Sequence, residues 1–325
     1  MKLTELLSGI ETLQRAGAPE TDITSLGFDS RHATAGQLFF AVKGSASDGH
    51  DYMAQATANG AAAVVCERLP EEPFPGVAYI VVADSSAALG TIASRFYGEP
   101  SHKLKLVGVT GTNGKTTTAT LLYDLFRRLG YKAGLISTVV YRIDNETLPS
   151  THTTPDAIRL NAMLAEMAER GCDYCFMEVS SHSIVQERIA GLTFAGGIFT
   201  NITHEHLDYH GTFAEYIRAK KRFFDRLLKG AFALVNADDR NGAVMVQNSA
   251  ATTYTYALRS FSDFRCRILE NTPEGMLLEL DGQQVWTRFL GRFNAYNLAA
   301  VYGAARLLGA DCDETLQALS TLTPV

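Results

Sequence analysis

Short apolar runs alternate with helical patterns along the whole chain. In the first hundred residues the runs Gln37 to Val42, Ala61 to Cys66 and Val77 to Val82 are separated by the helical stretches Tyr52 to Ala58 and Ala87 to Tyr97, the pattern of a small α/β domain. Gly98-Glu99-Pro100-Ser101-His102-Lys103 interrupts it with a glycine and a proline, which places a boundary between residues 1–101 and 102–325. From Leu104 the order becomes strand, glycine-rich turn, helix, strand, helix, strand, which predicts a parallel sheet covered by helices.

Leu104 to Val109 reads as the first strand of that sheet and Lys115 to Leu129 as the helix after it. Ala133 to Ser137, Tyr174 to Val179, Gly197 to Asn201 and Phe232 to Asn236 read as further buried strands. Thr154-Pro155-Asp156 offers an N-cap, a first-turn proline and a first-turn acid, so a helix is expected from Pro155 to about Arg170. Thr212 to Leu228 is amphipathic. Arg265 to Leu290 alternates with turn signals such as Asp281-Gly282 and predicts an antiparallel edge; helical patterns follow at Ala295 to Leu308 and Asp313 to Leu319.

With 46% hydrophobic and 20% charged residues in 325, the chain can bury a core, which excludes disorder and collagen. Twenty-nine Lys+Arg against 35 Asp+Glu leave a net charge of -6, so no global positive field draws it to nucleic acid or anionic lipid. No apolar run reaches the ~18–20 residues of a membrane span, and the start lacks a signal-peptide core, so a cytoplasmic protein is expected. The five cysteines form no disulfide pattern, and Cys172-x-x-Cys175 lies by an apolar stretch as buried thiols would. An anionic ligand therefore needs a local site.

Val107-Gly108-Val109-Thr110-Gly111-Thr112-Asn113-Gly114-Lys115-Thr116-Thr117 has the strand and helix flanks that a phosphate-binding loop requires. Glycines let the backbone wrap phosphate oxygens, and N–H groups at a helix start point at the anion. Lys115 would reach the β and γ phosphates and the Thr116 hydroxyl would bind Mg²⁺. The general pattern has a glycine five before Gly114, where this chain has Val109, so Gly111 does the turning. The fold class is thus α/β, a small N-terminal α/β domain followed by a P-loop ATPase-like domain with a mostly parallel sheet and an antiparallel edge.

Thr110-Gly111-Thr112-Asn113-Gly114-Lys115-Thr116 is similar to the ATP loop of the Mur ligases, the ATP-dependent amide-forming enzymes of peptidoglycan precursor synthesis. Asp29-Ser30-Arg31, Glu178-Val179-Ser180-Ser181-His182 and His206-Leu207-Asp208-Tyr209-His210-Gly211 resemble the same family, and the likeness runs from about Asp29 to the last residue. It implies a monomeric ligase that uses ATP and Mg²⁺ to join a third residue, meso-diaminopimelate or L-lysine, to UDP-MurNAc-L-Ala-D-Glu, without nucleic acid or membrane insertion. ATP would phosphorylate the γ-carboxylate of the D-Glu residue, and the incoming amine would displace phosphate from the acyl phosphate.

The resemblance also implies site residues. Gly111, Thr112, Asn113, Gly114, Lys115, Thr116 and Thr117 would hold ATP, with Asn294 and Asn297 in Gly291-Arg292-Phe293-Asn294-Ala295-Tyr296-Asn297 near adenine. Thr116, Glu178, His206 and Lys220, the last as a carbamate, would hold Mg²⁺; Lys115, His206 and Lys220 would be catalytic. The N-terminal domain would take the UDP end through Ser30 and the turn Ser45-Ala46-Ser47, while His152, Thr153, Thr154, Ser180, Gln186 and Arg188 would touch the muramoyl-dipeptide. Glu205 stands where an aspartate is usual, and His152 where an asparagine is.

Read from the residues alone, Glu178 is equally an edge acid paired with a base, and Tyr216-Ile217-Arg218-Ala219-Lys220-Lys221 carries solvated lysines. The crowd of His204, Glu205, His206, Asp208 and His210 is equally a zinc site or a wet loop. A small-molecule kinase and a non-catalytic nucleotide or UDP-sugar module are the other functions the sequence allows. Family members carry a third, Rossmann-like domain for the amino acid; the chain stops at Thr321-Leu322-Thr323-Pro324-Val325, so the expectation is that this domain is absent and ligation by the chain alone is weak or nil.

Overall fold

Two strands the pattern did not predict, β1 (Gln14–Ala16) and β2 (Ser25–Gly27), precede the three early apolar runs, which become β3 (Gln37–Phe40), β4 (Ala63–Cys66) and β5 (Ala78–Val81). Every residue of β3, β4 and β5 is buried, as strands covered on both faces must be. They pair in the order β1-β5-β4-β3-β2, with only β1 antiparallel. Strand alternation sends Leu38, Phe40, Val65 and Ile80 to one core with Leu89 and Ile92 of the helix Ser85–Phe96. Phe39, Val64, Tyr79 and Val81 go to the opposite core with Met53 and Ala56. The computed structural model describes residues 1–17, 21–44, 47–150, 152–205 and 207–324. Its first compact unit comprises Met1–Pro100, Asp156–Ala165 and Gln186–Leu192.

The second unit, Ser101–Pro155, Glu166–Val185 and Thr193–Val325, is built on one large sheet. Its strands are β6 (Lys105–Thr110), β7 (Ala133–Ile136), β8 (Val140–Ile143), β9 (Glu146–Pro149), β10 (Tyr174–Glu178), β11 (Gly196–Phe199), β12 (Phe232–Asn236), β13 (Thr252–Ala257), β14 (Phe264–Thr272), β15 (Gly275–Leu280) and β16 (Gln283–Thr287). The order is β16-β15-β14-β13-β12-β11-β6-β10-β7-β8-β9. From β14 to β7 all neighbours are parallel. β15 and β16 form the expected antiparallel edge, turning at Asp281 and Gly282, both with positive φ. A second antiparallel edge, β8 with β9, was not expected; its turn puts Asp144 at φ 52, a conformation an aspartate tolerates in a tight hairpin.

β6 lies between β11 and β10, so the phosphate loop leaves the middle of the sheet at its carboxyl edge. The helix Lys115–Arg128 buries Ala119, Leu122 and Phe126 against the strands, and Phe126 packs on Tyr174 and Phe176 with ring centroids 4.4 and 5.0 Å apart. The helix Arg292–Leu307 lays small residues, Ala295, Ala299 and Ala304, into the same core, and Cys312–Thr321 closes it. Cys172 and Cys175 are buried thiols whose pKa burial raises.

One helix start is corrected. The segment expected from Pro155 is helical over Ala157–Glu169, and its cap is Asp156, whose carboxylate accepts from Arg159 N at 3.0 Å. Thr154 is no N-cap because its hydroxyl donates to the Glu178 carbonyl at 2.9 Å.

Since Phe126 joins the loop-bearing helix to β10, Phe126→Ala is expected to lower stability by about 3–5 kcal/mol. Equilibrium urea unfolding, followed on the second unit, checks this; a loss under about 1 kcal/mol would contradict it.

Candidate active site

Two backbone conformations make the phosphate loop. Gly111 has φ +152 and Gly114 φ +85, values that side chains disfavour, and a Cβ on Gly111 would lie 1.9 Å from Thr200 Oγ1. Gly111 therefore does turn the chain, against the end of β11. Thr112 N donates to Asn201 O at 2.7 Å, Asn113 N to Asn201 Oδ1 at 3.0 Å, and Thr200 Oγ1 to Asn113 O at 2.7 Å. The helix starts at Lys115, so the first-turn N–H groups of Lys115, Thr116 and Thr117 lack intrahelical acceptors and carry the positive end of the helix dipole.

Two lysines converge on one carbonyl. Lys115 Nζ donates to Gly111 O at 3.1 Å and Thr112 O at 2.9 Å, and Lys220 Nζ donates to Gly111 O at 2.8 Å. Burial lowers the Lys115 pKa, while Glu178 and Glu205 oppose the shift. Burial drives Lys220 far lower, and the neighbouring Lys115 charge adds to that. Lys220 is 1% exposed, its nitrogen 4.7 Å from the Tyr216 ring centroid, which corrects the reading of solvated lysines. The helix Phe213–Asp225 buries Tyr216, Ala219, Lys220, Phe223 and Phe224, so Lys220 occupies its apolar stripe; Lys221, one step round, pairs with Asp225.

Glu178 is fully buried at the end of β10, with Thr138 N donating to Oε1 at 2.6 Å and the Thr138 hydroxyl 3.1 Å from Oε2. That hydroxyl is also 3.1 Å from Thr153 Oγ1. The His152 backbone is clasped by Tyr141, whose hydroxyl donates to His152 O and accepts from His152 N. Ser180 N faces Thr154 Oγ1 at 3.4 Å, and Ser180 Oγ accepts from Ser183 N. His206 lies outside the described residues. His204 stacks on Phe213 and His210 Nε2 is 2.9 Å from Ser181 Oγ; among the described residues no three His, Cys, Asp or Glu side chains converge as a zinc site would need.

In the first unit Ser30 is the buried member of its segment. Its hydroxyl donates to Gln55 Oε1 at 2.7 Å, while Asp29 grips the Arg31 guanidinium through Nε and Nη2. Ser47 O accepts from Gly44 N at 2.9 Å; Ser45 and Ala46 lie outside the described residues. Arg188 directs Nε and Nη2 to Gln186 Oε1 at 3.0 and 2.6 Å.

A cavity of about 620 Å³ opens beside the phosphate loop in the second unit, lined by Asn113, Gly114, Thr117, Asp238, Arg259, Phe293, Tyr296 and Asn297 among others. Asn297 Oδ1 lies 2.5 Å from where a Gly114 Cβ would be, and Asn297 Nδ2 is 3.5 Å from Asn294 Oδ1. Asn297 is thus a wall of the cavity and Asn294 stands behind it. Sequence reasoning missed Thr200, Asn201, Asp238, Arg259 and Tyr296. The available signal was position, since Thr200 and Asn201 end one predicted strand and Asp238 follows the next.

The lowered Lys220 pKa sets the sign of a pH effect. Between that value and the ordinary lysine value near 10.4 the unfolded chain binds a proton that the folded chain does not, so stability rises with pH, by up to about 1.4 kcal/mol per unit. In buffer purged of CO2, the wild type is expected to gain stability over Lys220→Met as the pH rises towards the ordinary lysine value. Parallel stability curves in denaturant titrations would show that Lys220 keeps its proton.

Residues 109–305 match the Mur ligase middle domain, and residues 22–97 match the Mur ligase family catalytic domain. The UDP-N-acetylmuramoyl-L-alanyl-D-glutamate–2,6-diaminopimelate ligase of Bacteroides thetaiotaomicron is 56% identical over 325 residues, covering 100% of this chain and 67% of that protein. The enzyme of the same name from Geobacillus thermodenitrificans is 40% identical over 337 residues, covering 100% and 68%. A solved structure of a UDP-N-acetylmuramoyl-L-alanyl-D-glutamate–2,6-diaminopimelate ligase superimposes with a TM-score of 0.87 at 27% identity, over 100% of this chain and 67% of that one. A middle-domain match over more than half the chain, and relatives alike along all of it, make this chain a member of the Mur ligase family.

Proposed function

We propose that this chain serves an ATP-dependent ligase that joins a third amino acid to UDP-MurNAc-L-Ala-D-Glu. The juxtaposition of the phosphate loop with Lys115, Lys220 and Glu178 at one sheet edge carries the reading. Residues 102–325 are the ATP-binding domain and residues 1–101 the UDP-MurNAc-binding domain. The names of the relatives support 2,6-diaminopimelate as the amino acid added. Among the described residues no helix is long and apolar enough to cross a membrane.

A bare carboxylate is a poor electrophile, so the reaction needs an acyl phosphate. The γ-carboxylate oxygen of the D-Glu residue attacks the γ-phosphorus of ATP, ADP leaves, and the amine then displaces phosphate through a tetrahedral intermediate. The first-turn backbone amides of Lys115, Thr116 and Thr117 orient the phosphates, and Lys115 offsets charge on the transferring group. The cavity of about 620 Å³ takes the nucleoside, within the usual size of small-molecule sites. Arg188, its fork held by Gln186, presents donors suited to a substrate carboxylate. Ser30 and Ser47 stand at the UDP end.

The residues present fit Mg²⁺. Glu178 is a buried carboxylate whose charge acts on Lys115 of the phosphate loop, and the Thr116 hydroxyl adds an oxygen donor. Mg²⁺ commonly keeps waters and phosphate oxygens among its ligands, so few protein donors suffice. His206 and a carbamate on Lys220 complete the proposed donor set. When bound, the ion offsets charge on the triphosphate. Burial and the Lys115 charge favour the uncharged amine of Lys220, the form that adds CO2, with loss of a proton, to give that carbamate.

Calorimetric titration tests the reading: UDP-MurNAc-L-Ala-D-Glu is expected to bind more tightly than UDP, and equal affinities would overturn the substrate assignment. Lys115→Ala is expected to weaken ATP binding at least about tenfold, the loss typical of charge-assisted hydrogen bonds. In a turnover assay containing hydroxylamine, a trapped hydroxamate marks the acyl phosphate, whereas a stable phosphoester would favour the kinase alternative.

A further inference from the structure

β12 ends at Asn236, which together with Asp238 and Asp239 just beyond it ties down both sides of the cavity. One Asp238 oxygen accepts from Leu258 N at 2.8 Å, Arg259 N at 2.9 Å and Tyr296 Oη at 2.8 Å; the other accepts from Ser260 N at 2.8 Å. Three of these donors belong to the loop after β13 and the fourth to the helix Arg292–Leu307. Burial pushes the Asp238 carboxyl up, but the hydrogen bonds from Ser260, Tyr296, Arg259 and Leu258 outweigh it and hold the pKa well below the carboxylate range. On the other side, Asp239 Oδ2 accepts from Ile202 N at 2.9 Å, and Asn236 Nδ2 donates to Thr200 O at 2.9 Å. Thr200 is the residue against which Gly111 turns.

The two walls therefore have separate supports. Thr200 and Asn201 brace the phosphate loop directly, whereas Arg259 and Tyr296, which also line the cavity, are joined to the sheet through Asp238. Tyr296 and Arg259 also act on each other electrostatically, so the carboxylate fixes both members of a pair. Three donors crowd one oxygen and a fourth engages the other, so the carboxylate is turned mainly to the protein. It acts on the cavity chiefly through Arg259 and Tyr296, which line it.

We propose that Asp238 is a positioning residue of the nucleotide site: by gripping the 258–260 amides and Tyr296 it shapes the wall that meets the nucleoside half of a nucleoside triphosphate, independently of the phosphate loop. This rests on the ATP reading given above. In Asp238→Asn the amide nitrogen faces N–H donors, and in Tyr296→Phe one of the four bonds is lost while the three backbone bonds stay.

The test is titration of the full chain, in Mg²⁺ buffer, with ATP and with inorganic tripolyphosphate, which engages the phosphate loop but has no nucleoside. Asp238→Asn is expected to weaken ATP about tenfold and Tyr296→Phe about threefold, with tripolyphosphate affinity unchanged in both. Either variant binding ATP as the wild type does overturns the proposal, as does an equal loss for the two ligands, which would mark a general structural role. Tyr296→Phe keeps the test open if Asp238→Asn does not fold. Wild-type chain that binds neither ligand overturns the ATP reading itself, and the proposal with it.

Discussion

The Gly111 carbonyl is the point on which the site depends. It accepts from Lys115 and from Lys220, and the residue that carries it turns with its Cα pressed against Thr200. Any side chain there would have to occupy the space of Thr200 Oγ1, so the loop cannot be built without a glycine at this position. The same close approach lets Thr112 and Asn113 bond to Asn201, which makes the end of β11 the floor of the loop. The geometry of the anion site is therefore set by two strands, not by the loop alone.

A central β6 is what makes this possible. With β11 and β10 as parallel neighbours, the loop after β6 meets Thr200 and Asn201 on one side and stands near Glu178 on the other. Parallel strands deliver their carboxyl ends to one edge, where connections are free to carry ligand groups. Burial of that edge by the helices Lys115–Arg128 and Phe213–Asp225 lowers the local polarity, so each charge placed there acts more strongly than it would in water.

Much of this was legible in the chain because the signals are local. The phosphate loop is a contiguous pattern with a strand before it and a helix after it, and periodicity found β6, β7, β10, β11 and β12 to within a residue or two, but it missed β2 and β13, which are also parallel. What the pattern could not show is where a polar group bonds. Thr154 looks like a helix cap, yet the Glu178 carbonyl, 24 residues on, takes its hydroxyl. Lys220 looks solvated by composition, though its spacing from Tyr216 and Phe223 already puts it on the apolar stripe. Asp238 is silent in sequence because all four of its donors come from residues 20 to 58 positions away. The β8–β9 hairpin escaped because it is short and its turn carries Asp144 where a glycine would have announced it.

Two amines on one carbonyl raise the question of which keeps its proton. Both are buried, and burial alone would disfavour both charges. The surroundings then separate them. Lys115 has Glu178 and Glu205 pulling its pKa back up, whereas Lys220 faces the Lys115 charge and has only Glu205 in opposition. Of the two, Lys220 is therefore the one whose surroundings favour loss of the proton, and Lys115 the one that keeps its charge more readily. In the proposed ligase these are complementary roles, since a cation is needed where phosphoryl charge develops and only an uncharged amine can take up CO2. Exchanging the two environments would put the free amine on the phosphates, so the distribution of carboxylates around the loop matters as much as the lysines themselves.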